Sequence, residues 1–168
     1  LNAMTQTSLK TTATQSIFTF EAGGVLLTMD MLSPVEANDL KRLSMPLGNI
    51  VTSVHSTDGS SHTVSVYYDI SGEWAHGTNT TPIVWSKVGI NRNADGSTRA
   101  GSLSAWEITP STPTVLQQTY DYPSWGTAFF ATENSGTLTT QSGSDAAVRT
   151  QFATYGTLAN TNDTNQPR

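Results

Sequence analysis

At 168 residues the chain has room for one domain with a proper core, or for one domain and a short tail. Its formal charge of -5, with only 8 Lys and Arg, leaves no basic face to follow a phosphate backbone or an anionic bilayer, which argues against nucleic acid and membrane surfaces as partners. No apolar run reaches the roughly 20 residues that cross a bilayer, so no membrane span is expected. The opening LNAMTQTSLK has no charged region followed by an apolar one, and so no signal peptide of its own, and a first residue other than Met suggests a piece of a longer polypeptide. Without Cys there are neither disulfides nor thiolate metal sites.

Charged residues make up only 12%, while Thr, Ser, Gly and Asn are abundant, a balance that suits short strands and polar turns better than surface helices. The expected fold is an all-β antiparallel sandwich of two packed sheets with one short helical turn, spanning residues 1–159, with 160–168 as a tail or linker that has nothing to bury. In chain order, SIFTFEAGGVLLTMDMLS predicts a hairpin around Gly23-Gly24 that sets Phe20 opposite Leu27, Phe18 opposite Met29 and Thr19 opposite Thr28. Ser33-Pro34-Val35-Glu36 reads as a capping box opening a helical turn near Glu36 to Leu40. A second hairpin is expected around Asp58-Gly59, with Ile50, Thr52 and Val54 on one arm and Val64, Val66, Tyr68 and Ile70 on the other. A three-residue loop with Gly59 left-handed keeps the apolar residues of both arms on one face, and that register leaves His55 and His62 unpaired, so no metal site is expected. Asn91 to Ser102 is the expected long loop. Strands follow around Trp106 and at 114–119, 126–132 and 138–141, and 145–154 is read as a strand although Ser144 could cap a helix there.

Four groups of residues invite chemistry. Asp69 and Glu73 form a carboxylate pair, but on one strand face they stand about 13 Å apart at roughly 3.3 Å per residue, whereas glycosidase pairs need about 5 to 9.5 Å. Without a bend at Gly72 they are a polar strand end facing solvent or a neighbouring domain. Asn91-Arg92-Asn93-Ala94-Asp95-Gly96 copies the start of a calcium loop, yet its twelfth position is Ser102 where the bidentate Glu belongs, so a plain loop is expected. Trp74, Trp85, Trp106 and Trp125 could stack on sugars or dock another domain, although tryptophans in such folds more often serve the core. Tyr120-Asp121-Tyr122-Pro123-Ser124-Trp125-Gly126 looks like a surface loop that touches something. Asn79 and Asn162 head glycosylation triplets. There is no G-x-S-x-G elbow, no S-x-x-K and no H-E-x-x-H, which disfavours an independent hydrolase.

The run from Ser16 to Gly77, and in particular LSPVE and STDGSSHTVSVYYDISGEW, together with WGTAFFAT further on, resembles the N-terminal β-region of the fungal glutaminase A family. The resemblance implies a secreted or cell-wall-associated protein that hydrolyses L-glutamine to L-glutamate and ammonia without a cofactor. It also implies a β-sandwich packed on a larger C-terminal α/α toroid, and the toroid is expected to supply the catalytic centre. No catalytic residue is therefore carried over to this chain. Asp69, Glu73, Trp74 and Trp125 fall in matching motifs, and with Asp121 they are expected at a domain interface or at the rim of a substrate cleft. The rival expectations are a stand-alone carbohydrate-binding or cell-surface recognition module and an accessory sandwich of a carbohydrate enzyme. Fold analogy alone does not separate amide from glycosidic substrates.

Overall fold

The computed structural model describes residues 2–76, 80–92 and 98–168. All three sheets are antiparallel, and the chain divides into two compact units, Leu1–Val64 and Ser65–Arg168.

The first unit is a four-stranded meander in the order β1 (Thr5–Thr11), β2 (Gln15–Ala22), β3 (Val25–Leu32) and β4 (Asn49–Ser56). The β2–β3 hairpin has the expected register, with Phe18 opposite Met29, Thr19 opposite Thr28 and Phe20 opposite Leu27. Gly23 and Gly24 are both left-handed, φ 56° and 77°, the geometry a two-residue primed turn demands. β1 was not anticipated. It pairs Leu9 with Phe18, and at its bulge the hydroxyls of Thr7 and Ser8 meet that of Thr19 at 2.8 and 2.7 Å.

The second expected hairpin does not form. β4 pairs instead with β3, Ile50 opposite Met31 and Val54 opposite Leu27, while residues 61–70 run without strand pairing. The alternation in that stretch is real, but the open edge of β3 takes β4. Gly59 is left-handed, φ 77°, as expected, and turns the loop after β4 back over the glycine hairpin, where the Thr57 amide donates to the Gly24 carbonyl at 2.8 Å. The helical turn also comes later than the capping box suggests. α1 is Leu40–Leu43, with the Asp39 carboxylate accepting from the Arg42 amide at 3.1 Å.

Alternation and register put Leu9, Phe18, Phe20, Leu27, Met29, Met31, Ile50 and Val54 on one face of this sheet. The Phe18 and Phe20 rings are stacked there, 6.2 Å between centroids. No described residue of this unit is buried.

The second unit holds the sheet β5 (Ile83–Arg92), β6 (Thr98–Pro110), β9 (Ala128–Glu133) and the two-residue pair β7 (Gln118–Thr119) and β8 (Tyr122–Pro123). β5 was not anticipated. With Arg92 opposite Thr98, the two strands run well into the expected long loop, and positions 93–97, most of the calcium-loop match, lie outside the described residues. Of the expected strand at 114–119 only Gln118–Thr119 forms, and 138–141 is not a strand. It is tied to residues 158–160 by side chain–backbone bonds instead: the Thr140 amide donates to the Asn160 side chain, and the amides of Leu158 and Ala159 donate to the side chains of Thr139 and Gln141.

The central strand β6 carries Ala105, Ile108 and Pro110 into the core, joined by Val148 from α2 (Asp145–Tyr155). That helix replaces the strand expected at 145–154. Ser144 caps its first turn by accepting from the Ala147 amide, and Gly156, φ 69°, ends it with its amide on the Phe152 carbonyl at 2.8 Å. The segment from 160 onward is hydrogen-bonded to β5. Ile83 and Arg168 exchange backbone hydrogen bonds of 2.6 and 3.1 Å, and the Gln166 side-chain amide accepts from the Trp85 amide at 2.9 Å and donates to the Trp85 carbonyl at 3.0 Å. Gln166 thus supplies with its side chain what a neighbouring strand would supply with its backbone.

Candidate functional site

Ser71 opens a 3-10 turn at Gly72–Ala75, and the turn breaks the strand that would have spaced Asp69 and Glu73 along one face. An added Cβ on Gly72 would overlap the Ile83 side chain, so the turn starts hard against β5. From it Glu73 and Trp74 project to the surface. Trp74 is 75% exposed. Hydrogen bonds from the Ser71 hydroxyl and the Glu73 amide hold the Glu73 carboxyl below the usual carboxylate range. Glu73, Trp74, Ala75 and His76 line an open groove of about 430 Å³ together with Pro123. His76 itself is buried, with Nδ1 3.1 Å from the Thr81 hydroxyl.

Pro123 belongs to the aromatic loop singled out in the sequence, and it is the residue of that loop that borders the groove; Asp121 and Trp125 are not among the lining residues. The loop is a tight hairpin in which Thr119 pairs with Tyr122 and the two residues between them, Tyr120 and Asp121, are both left-handed, φ 50° and 66°. Neither is Gly, and each such residue costs on the order of 1 to 2 kcal/mol. The strain is held by the buried Ser124: its amide donates to the Gln117 carbonyl, its carbonyl accepts from Thr114, and its hydroxyl meets that of Thr119, all at 2.9 Å. The result is a Tyr120 ring 87% exposed at the hairpin tip, with Asp121 beside it and Trp125 partly exposed at its base. Gly126 ties that base to β6 by accepting from the Thr109 hydroxyl at 3.0 Å.

Asp69 is elsewhere. Its Oδ2 accepts from Arg149 Nε at 2.8 Å and from the Tyr67 hydroxyl at 2.9 Å, and Tyr67 stacks on Phe152, 4.9 Å between centroids. Arg149 lowers the Asp69 pKa, and burial with the adjacent carboxylate pushes Tyr67 up to about 12. This acid clamps α2 to the preceding segment and is not poised to transfer a proton to a ligand. His55 lies opposite Leu26 and His62 bonds Asp58 at 2.9 Å, so the histidines are not paired. No three His, Cys, Asp or Glu side chains among the described residues are grouped to hold a metal ion. Asn162 is exposed and its Oδ1 accepts from the Trp85 indole at 3.1 Å, whereas Asn79 lies outside the described residues. Sequence reasoning missed His76 and Pro123 as groove residues, and the only signal for the first was its place two residues after Trp74.

These features describe a β-rich domain with a surface groove and no assembled set of reacting groups among its described residues. Residues 14–168 match the family described as a domain of unknown function, DUF5127, and the chain belongs to that family. It is 32% identical to glutaminase A of Aspergillus oryzae over 95% of its own length, and 29% identical to a probable glutaminase of Arthroderma benhamiae over 83%. The chain is thus a domain of the glutaminase A family. It spans 22% and 15% of the lengths of those two relatives. No solved structure matches it significantly.

Proposed function

We propose that this chain is a non-catalytic accessory domain of an amidohydrolase that converts L-glutamine to L-glutamate and ammonia, and that it docks on the rest of that polypeptide through the apolar face of its four-stranded sheet. The observation that carries the reading is that face. Phe18, Phe20, Leu27, Met29, Met31 and Ile50 stand together on it, and none is buried. An antiparallel sheet of this pattern reaches stability by packing that side on something apolar, and most of the length of the glutaminase relatives lies outside the match. The α/α toroid implied by the resemblance is the natural cover. Asp69 supports the same reading, because it is spent on Arg149 and Tyr67.

Under this reading the domain is exported with its parent, and Asn162, exposed in its Asn-Asp-Thr triplet, takes a glycan. The test is ammonia release from L-glutamine by the purified 168-residue chain, set against the full-length parent. The parent is expected to turn over and the chain alone to stay at background. Turnover by the isolated chain comparable to that of the parent overturns the proposal.

A further inference from the structure

Glu73 and Trp74 are neighbours on a turn held against β5, and both open onto the groove that Pro123 borders. The carboxylate is ionised and exposed to solvent. Among the described residues the arginine ion pairs go elsewhere: Arg42 to Asp39, Arg149 to Asp69 and Asp145, Arg168 to Asp163. None involves Glu73. Among the described residues, then, no ion pair occupies the Glu73 carboxylate, and it lines the same groove as an indole that is three-quarters exposed, on a protein of net charge -5.

An exposed indole and a carboxylate lining one groove fit one ligand chemistry best. A guanidinium is planar, so it stacks on the ring and still presents two parallel N–H donors to a carboxylate. An ammonium offers only a point charge, and a neutral sugar stacks without using the charge at all. We propose that this groove captures the side chain of an arginine in a protein segment, stacked on Trp74 and paired with Glu73. The preformed 3-10 turn and the strained, hydrogen-bonded Tyr120-Asp121 hairpin keep the two walls in place, so little ordering is left to pay on binding. This inference does not depend on the accessory-domain reading, because the groove lies in the second unit and the docking sheet in the first.

The experiment is an NMR titration of the 168-residue chain, following the Trp74 indole N–H, with a short arginine peptide and with the same peptide carrying citrulline, which is isosteric and neutral. The arginine peptide is expected to shift that resonance with a dissociation constant in the millimolar range and the citrulline peptide to bind about fivefold more weakly, the factor an exposed ion pair supplies. Glu73→Gln is expected to remove that fivefold difference, and Trp74→Ala to weaken arginine binding about threefold. Both residues are exposed, so the thermal midpoint should not move, which separates loss of the ligand from loss of the fold. Equal binding of the two peptides, an unchanged Glu73→Gln variant, a silent Trp74 indole, or a shift of that indole by a neutral β-glucan oligosaccharide in preference to arginine each overturns the proposal.

Discussion

Gly24 shows how much of this domain depends on single atoms. It sits at φ 77°, and a Cβ there would overlap the Asp58 carboxylate and approach His62 Cε1 to 2.9 Å, whereas the Cβ of its neighbour Gly23, φ 56°, would meet nothing within 4 Å. Gly23→Ala therefore bears only the left-handed backbone, on the order of 1 kcal/mol, while Gly24→Ala adds a steric conflict and should cost at least about 1 kcal/mol more. Urea denaturation of the two variants checks this, and equal midpoints would show that the loop over the hairpin is not packed as described. Tyr67 offers a test by pH. Its folded pKa is raised to about 12 from an ordinary value near 10. The contribution is thus fully present below the unfolded value and lost as pH rises through the folded one, so stability should fall between pH 10 and 12. Asp69 acts in the opposite sense: its folded pKa is lowered, and its contribution, present above the ordinary carboxylate value, fades as pH drops below it. Tyr67→Phe keeps the stack on Phe152 but should erase the alkaline phase in thermal melts taken across that window, and a phase that survives the substitution assigns it to another group. The Asp69–Arg149 pair is exposed, so breaking it with Asp69→Asn should cost no more than about 1 kcal/mol.

At the scale of elements, the tail and the edge of β5 carry the clearest consequence. β5 ends its sheet, and Gln166 and Arg168 satisfy backbone groups of Trp85 and Ile83 that an edge strand otherwise presents to any passing strand. Removing residues 161–168 should leave the core intact but open that edge, and sedimentation at rising concentration should show stronger self-association than that of the full chain. A truncated chain that self-associates no more than the full chain would mean the edge is protected by other means. The same region shows where a single sequence stops being legible. The Gly23-Gly24 hairpin could be read because turn chemistry and apolar parity sit within one stretch and agree. β4 could be read as a strand but not assigned its partner, since the alternation of Val64, Val66 and Tyr68 offers a second arm of equal quality and only the edge of β3 decides between them. In 145–155 the β-branched Val148, Thr150 and Thr154 imitate a strand, and the helix is set by its ends, Ser144 and Gly156, together with the burial of Val148. The tail was opaque because its anchors are side-chain amides and hydroxyls, which leave no periodic trace. For the groove, Glu73, Trp74 and the aromatic loop were legible as residue types, but their meeting across about fifty positions of chain was not.

The molecule as a whole combines a small conventional core in one unit with an apolar sheet face that fully buries no side chain in the other. Ala105, Ile108, Pro110 and Val148 are buried apolar residues of the described structure, and all lie in the second unit. The first unit buries none, although its sheet presents two stacked phenylalanines and a run of long aliphatic side chains on one side. Two acts of association compete for such a face: docking on the parent polypeptide, which the proposed function requires, and self-association of the isolated chain. A charge placed on the face should suppress both without unfolding the sheet, provided that the site is exposed already. Met31 and Ile50 meet this condition, since they are cross-strand partners, 40% and 47% exposed, and Ile50 lies on the outer strand β4. Ile50→Lys should therefore leave the thermal midpoint of the isolated chain within about 1 kcal/mol of its original stability. In the full-length parent the same substitution should weaken the contact with the remaining domain, seen as faster proteolytic separation of the two parts and a lower midpoint for the assembled protein. Val115→Lys, at a more exposed apolar position in the second unit (66%), is the control and should change neither. If both lysines act alike in the parent, the sheet face has no special claim to be the docking surface; if only Ile50→Lys acts, the apolar side of the meander is the side on which the proposed parent docks.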